Sequence, residues 1–294
     1  MSLTGTGRIT AAAEAGGHGV GAFNVALLEQ LEAVLTGAGR AGSAVVVQVS
    51  ENAVAYRGSL APLAAAALTA VRESDTPAAL HLDHATRPEL IRSAVAAGFT
   101  SVMYDGSRLP WAENVETTRR ITDWCHERGV WVEAELGEIG GKDGAHAPGV
   151  RTDPAEAAAF VAGTGVDALA VAVGSSHAMT ERSARLDLDL VAALRAAVPV
   201  PLVLHGSSGV PDDTLAAAVA AGMRKINVAT HLNAVFTRAA RTALRDAPAL
   251  VDPRRYLAPA REAMAAEVAR LLGVLGATGS ARRTAGDGDP VASA

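Results

Sequence analysis

Of 294 residues only one is a cysteine, Cys125, so an internal disulfide framework is excluded. Residues 1–10 lack the charged-then-apolar pattern of a signal peptide. No uninterrupted apolar run approaches the ~20 residues needed to cross a bilayer. Lysine and arginine are scattered and the formal net charge is -5, which leaves no basic stripe for a nucleic acid. No internal repeat is visible. These absences lead us to expect a cytoplasmic protein with no nucleic-acid or membrane partner.

What is present is apolar. At 49% hydrophobic and 19% charged residues the chain can bury a large core, and no shift in composition divides it. The reading is one domain over residues 1–275. Residues 276–294, rich in Gly, Ala, Ser and Arg, read as a flexible C-terminal tail.

Short strand-like runs recur at 21–25, 44–49, 78–82, 100–104, 130–136, 168–173, 201–204 and 225–228. Between most of them lie Ala/Leu-rich stretches with helical spacing, at 62–72, 88–97, 114–127, 154–162 and 212–220. Asp153-Pro154 and Pro211-Asp212 are cap-plus-proline helix starts, and Gly98, Gly129 and Gly222 stand where helices should end. The alternation predicts an α/β protein. A doubly wound open sheet would alternate in the same way, but eight units in about 230 residues favour a closed (β/α)8 TIM barrel. Residues 231–245 and 259–272 read as extra C-terminal helices.

In such a barrel the carboxyl ends of the strands form the site. There the sequence places Asn24, Ser50, Asp83, His84, Glu135, His177, His205, Ser208, Asn227 and Thr230. Taken singly, each histidine reads as well as a hydrogen-bonded core residue as it does as a ligand. Three of them following three apolar runs fit a catalytic zinc site with an open position. His81, on the same face as Asp83, would support the ligands rather than bind. Asp83 is either a paired structural carboxylate or, beside a metal, a group that exchanges a proton. Gly206-Ser207-Ser208-Gly209 and Asn227-Val228-Ala229-Thr230 are either ordinary turns or the phosphate-binding loops that barrels carry after their last two strands.

The motifs Ala22-Phe23-Asn24-Val25, His81-Leu82-Asp83-His84, Val132-Glu133-Ala134-Glu135-Leu136-Gly137, Gly140-Gly141, Leu169-Ala170-Val171-Ala172-Val173-Gly174, Leu202-Val203-Leu204-His205-Gly206-Ser207-Ser208-Gly209 and Lys225-Ile226-Asn227-Val228-Ala229-Thr230 together resemble the class II, zinc-dependent ketose-bisphosphate aldolases. The resemblance runs from about residue 4 to about residue 272. It implies Zn2+ on His84, His177 and His205, and Asp83 as proton donor to the aldehyde-side oxygen. It implies Asn24 and Asn227 on the dihydroxyacetone-phosphate part, and Gly206, Ser208 and Thr230 on its phosphate, with a monovalent cation (Na+ or K+) nearby. Ser50, Ala178, Ala229 and Arg254 complete the implied substrate set, and a homodimer or homotetramer is the implied assembly.

Four departures from the family pattern stand out. Ala178 replaces the usual glycine after the second zinc histidine, and no tyrosine follows, so Arg182 or Arg185 is expected to compensate. The acidic loop after Gly140-Gly141 is short, which leaves Asp143 as the aligned catalytic carboxylate and Glu138 as its substitute. Where fructose-specific members carry Asp and Arg, this chain has Ala229 and Asn233, and its Asn227-Val228-Ala229-Thr230 resembles the tagatose-bisphosphate members. The far phosphate then needs another cation, Arg254 or Arg255, supplied by a neighbouring subunit. Two readings compete: a zinc hydrolase on the same fold, disfavoured because the first strand lacks a His-x-His pair, and a non-catalytic aldolase-like subunit.

Overall fold

The computed structural model describes residues 2–136, 151–177, 179 and 181–285. Eight parallel strands close into a barrel in chain order: β1 Val20–Asn24, β2 Val45–Ser50, β3 Ala78–Ala85, β4 Ser101–Tyr104, β5 Trp131–Glu135, β6 Ala168–Ala170, β7 Leu202–Leu204 and β8 Met223–Val228. All eight coincide with the expected apolar runs. The outer ring consists of α2 Leu28–Ala41, α3 Glu51–Arg57, α4 Ala61–Glu73, α5 Pro88–Ala96, α6 Trp111–His126, α7 Pro154–Thr164, α8 Leu188–Ala197 and α9 Asp212–Ala221. Asp153 caps α7 through two backbone N–H groups, at 2.8 and 3.0 Å, and Pro154 occupies the first turn, as the sequence predicts. No single helix among the described residues is long and apolar enough to cross a membrane.

Alternation along the strands separates two cores. Phe23, Val45, Val47, Leu80, Leu82, Val102, Val132, Leu169 and Ile226 point outward into the layer between sheet and helices. The intervening positions point into the barrel. Its floor is apolar: Ile9 and Ala13 of a first helix, α1 Thr6–Gly16, pack with Val20, Ala22, Ala44, Val46 and Ala79. Higher up the interior turns polar, with Gln48, His81, Ser101, Glu133 and Lys225 all fully buried. Barrel interiors are ordinarily filled by bulky branched residues.

Beyond β8 the chain adds α10 Thr230–Asp246, α11 Pro253–Val274 and the short α12 Ala281–Ala285. The expected helix at 259–272 begins at Pro253 instead, because Asp252 caps it by accepting from the Arg254 N–H at 3.0 Å. α11 lies so close to α2 that a Cβ on Gly37 would come within 2.4 Å of the Ala265 carbonyl oxygen.

The expected tail from Gly276 is corrected for its first part. The Ala277 carbonyl accepts from Ser43 Oγ at 2.6 Å, the Gly279 N–H donates to Ala41 at 3.0 Å, and Ser280 and Thr284 are buried. Backbone pairing to the end of α2, together with a few small buried side chains, holds a segment whose composition offers little apolar surface. Residues 286–294 lie outside the described residues.

Candidate functional site

Among the described residues His84 is the non-glycine residue with a left-handed backbone, φ 51, and it sits where the β3–β4 register shifts between Leu82 and Ala85. Regular alternation would send its side chain outward with Leu82. The irregularity turns it to the mouth of the barrel instead. His205 follows directly on β7, and His177 lies in the long connection after β6. Ring centroids are 4.6 Å apart for His84–His205, 5.2 Å for His84–His177 and 5.9 Å for His177–His205. One ring nitrogen from each lies within 4.8 Å of the other two, so the three expected ligands do converge.

The chemistry of the donors fits a metal ion. His84 Nδ1 is 3.0 Å from Asp105 Oδ2, and His205 Nε2 is 2.8 Å from Glu133 Oε1. Each carboxylate takes a ring N–H, which turns the opposite nitrogens, His84 Nε2 and His205 Nδ1, toward each other as lone pairs 2.9 Å apart. Two such lone pairs repel unless a cation lies between them. Asp105 and Glu135 also group with His84 within the same 4.8 Å. Sequence reasoning singled out Glu135 but missed Asp105. Its signal was available, since it follows Tyr104 at the end of β4.

Asp83 is 3% exposed. Its Oδ2 accepts from Asn24 Nδ2 at 2.7 Å and its Oδ1 from Asn227 Nδ2 at 3.5 Å. Gln48 Nε2 donates to Asn24 Oδ1 at 3.0 Å, which turns the Asn24 amide so that its N–H faces Asp83. Burial pushes the Asp83 carboxyl up, but the charges that His84 and His205 acquire in acid, with Lys225 and the Asn24 hydrogen bond, outweigh it and hold the pKa at about 2. Burial, reinforced by neighbouring His84, drives His205 well below the ordinary histidine value, which keeps its ring neutral.

On the β7–β8 side, Gly206 has φ 66, and a Cβ there would approach the Ser176 carbonyl carbon to 2.6 Å, so the turn needs glycine. Ser208 Oγ accepts from the His231 N–H at 3.1 Å, in the first turn of α10. Ala229 precedes that helix and Thr230 begins it. Across the mouth, Ser50 caps α3 at 3.2 Å from the Ala53 N–H. Ser50, Asn52, Thr86, Tyr104 and Arg108 surround a cavity of ≈ 500 Å³ that opens beside His84 and Asp105.

Three side chains singled out in the sequence have partners of their own, and for Arg182 the expectation changes. The Arg182 guanidinium is committed to the Val210 carbonyl at 2.6 Å and Asp212 at 2.5 Å, so it is not the compensating cation. Asn233 Oδ1 accepts from Gln30 Nε2 at 2.8 Å, which ties that position to α2. Arg254 is not gathered into the site: its side chain is 89% exposed and forks onto Asp252. Asp143, Glu138 and Ala178 lie outside the described residues.

An eight-stranded parallel barrel that gathers three imidazoles and three carboxylates at its C-terminal mouth has the layout of a barrel enzyme. The family model described as fructose-bisphosphate aldolase class-II matches residues 4–280. A fructose-bisphosphate aldolase from Geobacillus stearothermophilus is 37% identical over 285 residues, covering 96% of this chain and 99% of that protein. The crystal structure of the YdjI aldolase from Escherichia coli K12 is 30% identical with a TM-score of 0.84, over 95% of this chain and 99% of that one. A putative fructose-1,6-biphosphate aldolase from Coccidioides immitis, also 30% identical, gives 0.83 over 93% and 96%. The chain therefore belongs to the class II fructose-bisphosphate aldolase family, and it is a carbon–carbon lyase acting by aldol chemistry.

Proposed function

We propose that this enzyme is a zinc-dependent aldolase that reversibly cleaves a ketose 1,6-bisphosphate, tagatose or fructose, to dihydroxyacetone phosphate and an aldehyde such as glyceraldehyde 3-phosphate. The observation that carries the reading is the pair of facing imidazole nitrogens, 2.9 Å apart, each fixed from behind by a carboxylate and joined by His177. When bound by His84, His177 and His205, zinc supplies positive charge that offsets the negative charge growing on the ketose oxygens as the C3–C4 bond breaks.

The protein's own groups do the rest. Asp83, ionised at neutral pH, takes the proton of the C4 hydroxyl in cleavage and returns it in condensation. Asn24 holds that carboxylate in place, and Asn227 reaches the dihydroxyacetone-phosphate part. Backbone N–H groups at Gly206, Ser208 and Thr230, with the positive end of α10, take the near phosphate. Asp143 is the base for the carbon-bound proton, with Ala178 beside the phosphate. A Na+ or K+ ion accompanies that phosphate, the assembly is a homodimer or homotetramer, and the work is cytoplasmic carbohydrate metabolism.

Substrate choice follows from Ala229 and Asn233. The first offers no carboxylate to a substrate hydroxyl, and the second is already bonded to Gln30. A missing charged hydrogen bond is worth about 1.5–3 kcal/mol, or one to two decades of selectivity. Tagatose 1,6-bisphosphate should therefore be cleaved at least as well as its fructose epimer. For the far phosphate, Arg108 lines the cavity beside His84, whereas Arg254 would have to act from a neighbouring subunit.

The test is kcat/KM for both epimers before and after chelation. Activity should vanish with the metal and return with zinc or cobalt. Undiminished turnover in metal-free protein, or trapping of a substrate–lysine adduct by borohydride, refutes the metal mechanism. A preference for fructose 1,6-bisphosphate of more than about tenfold refutes the reading of Ala229.

A further inference from the structure

Glu133 and Lys225 form an ion pair inside the barrel, with side chains 0% exposed, and the function proposed above gives Lys225 no part. Lys225 Nζ lies 2.8 Å from Glu133 Oε2 and also donates to Asn227 Oδ1 at 2.9 Å. The other carboxylate oxygen, Oε1, faces His205 Nε2 at 2.8 Å. Buried charge of this kind is costly, and removing one partner strands the other.

Donor and acceptor counts make the cluster directional. Lysine has three donors and no acceptor, and an ionised carboxylate only accepts. His205 Nε2 must therefore carry the hydrogen, which leaves its Nδ1 lone pair facing His84 Nε2 at 2.9 Å. In the same way Lys225 claims Asn227 Oδ1, so Nδ2 turns to Asp83 at 3.5 Å and to the His205 ring edge at 3.1 Å. That last approach sets donor against donor, so one amide hydrogen of Asn227 stays with Asp83 and the other is left for an acceptor on a ligand. On the far side, His81 Nε2 is 3.8 Å from Glu133 Oε2, and its Nδ1 meets Ser101 Oγ at 2.8 Å. Ser101 Oγ in turn meets Thr6 Oγ1 of α1 at 2.5 Å. Polar side chains thus line the interior from the floor of the barrel to its mouth, with a 3.8 Å gap between His81 Nε2 and Glu133 Oε2 that is too long for a hydrogen bond.

We propose that the Glu133–Lys225 ion pair is a positioning device that selects both the His205 tautomer facing the metal site and the Asn227 amide orientation facing the substrate. The inference rests on the zinc reading above. A merely structural ion pair would resist any single substitution alike, whereas this geometry predicts a specific rescue. In Glu133→Gln the all-donor Lys225 claims the new amide oxygen, and the amide NH2 turns to His205 Nε2. That nitrogen must then present a lone pair, the hydrogen moves to Nδ1, and the ligand atom is lost. In the double variant Glu133→Gln/Lys225→Met nothing competes for the amide oxygen, which rotates back to accept from His205 Nε2.

Two measurements decide the matter, on proteins whose folding is checked by circular dichroism and Tm. Competition with a chromophoric chelator should show zinc affinity falling about 10–100-fold in E133Q and returning to within roughly threefold of wild type in the double variant. Nitrogen-15 NMR of the metal-free proteins should show His205 Nδ1 unprotonated in wild type and in the double variant, and protonated in E133Q. The double variant should still turn over slowly at saturating zinc, because Asn227 has lost its donor. Wild-type zinc affinity in E133Q, or a double variant no better than the single one, overturns the proposal. If wild type binds no zinc, the zinc reading fails, and the NMR tautomers alone then decide the positioning role.

Discussion

Replacing Asp83 with alanine separates the two halves of the aldol reaction. The carboxylate is buried, accepts from Asn24 at 2.7 Å, and is not in the group of nitrogens that could hold a metal. Its removal should leave zinc bound at wild-type stoichiometry. Carbon–carbon cleavage should fall by about two to four decades, the range for a general acid or base, which corresponds to about 2.7–5.4 kcal/mol on the barrier. The Asn24 amide left without its acceptor should cost about 1–3 kcal/mol of stability, and a lowered Tm would show it. Exchange of the carbon-bound proton of dihydroxyacetone phosphate belongs to a different base and should fall by less than roughly tenfold. A coupled assay reads cleavage, proton NMR in deuterated water reads exchange, and elemental analysis reads zinc. Equal loss of cleavage and exchange, or loss of the zinc, would show that Asp83 is a structural carboxylate and not the proton carrier.

Acid should act through the same residue. The folded pKa of Asp83, about 2, lies below the ordinary 3.8, so its contribution to folding is complete above pH 3.8 and is lost as pH falls through about 2. At 1.36 kcal/mol per unit this is about 2 kcal/mol in the metal-free protein. Denaturant titrations should show Asp83→Asn losing less stability than wild type between these pH values, and parallel curves would refute the assignment. Gly206→Ala should cost about 1–3 kcal/mol, because φ 66 and the contact with Ser176 both oppose a Cβ. It should also raise KM more than it lowers kcat if this turn holds the phosphate, and an unchanged KM would remove it from the phosphate site.

Local sequence was enough to locate the barrel. Each strand announces itself as a short apolar run, and Asp153-Pro154 and the glycines at 98, 129 and 222 punctuate helices through backbone rules that act over a few residues. The same locality made the three histidines visible, because each closes or follows such a run. It failed at Gly276, where composition promised a tail and long-range backbone pairing to α2 delivered a packed turn.

What only the tertiary structure decided is how side chains from different strands meet. Period-two alternation would point His84 away from the mouth, and the left-handed backbone and register shift that reverse it depend on pairing with β4. Asp105 became visible as a partner only when β4 brought it within 3.0 Å of His84. Glu133 and Lys225 stand in sequence as ordinary charged residues 92 positions apart, on strands that do not pair. Their ion pair exists because closure brings inward-facing side chains of non-neighbouring strands within reach, in an interior where neither charge could remain alone.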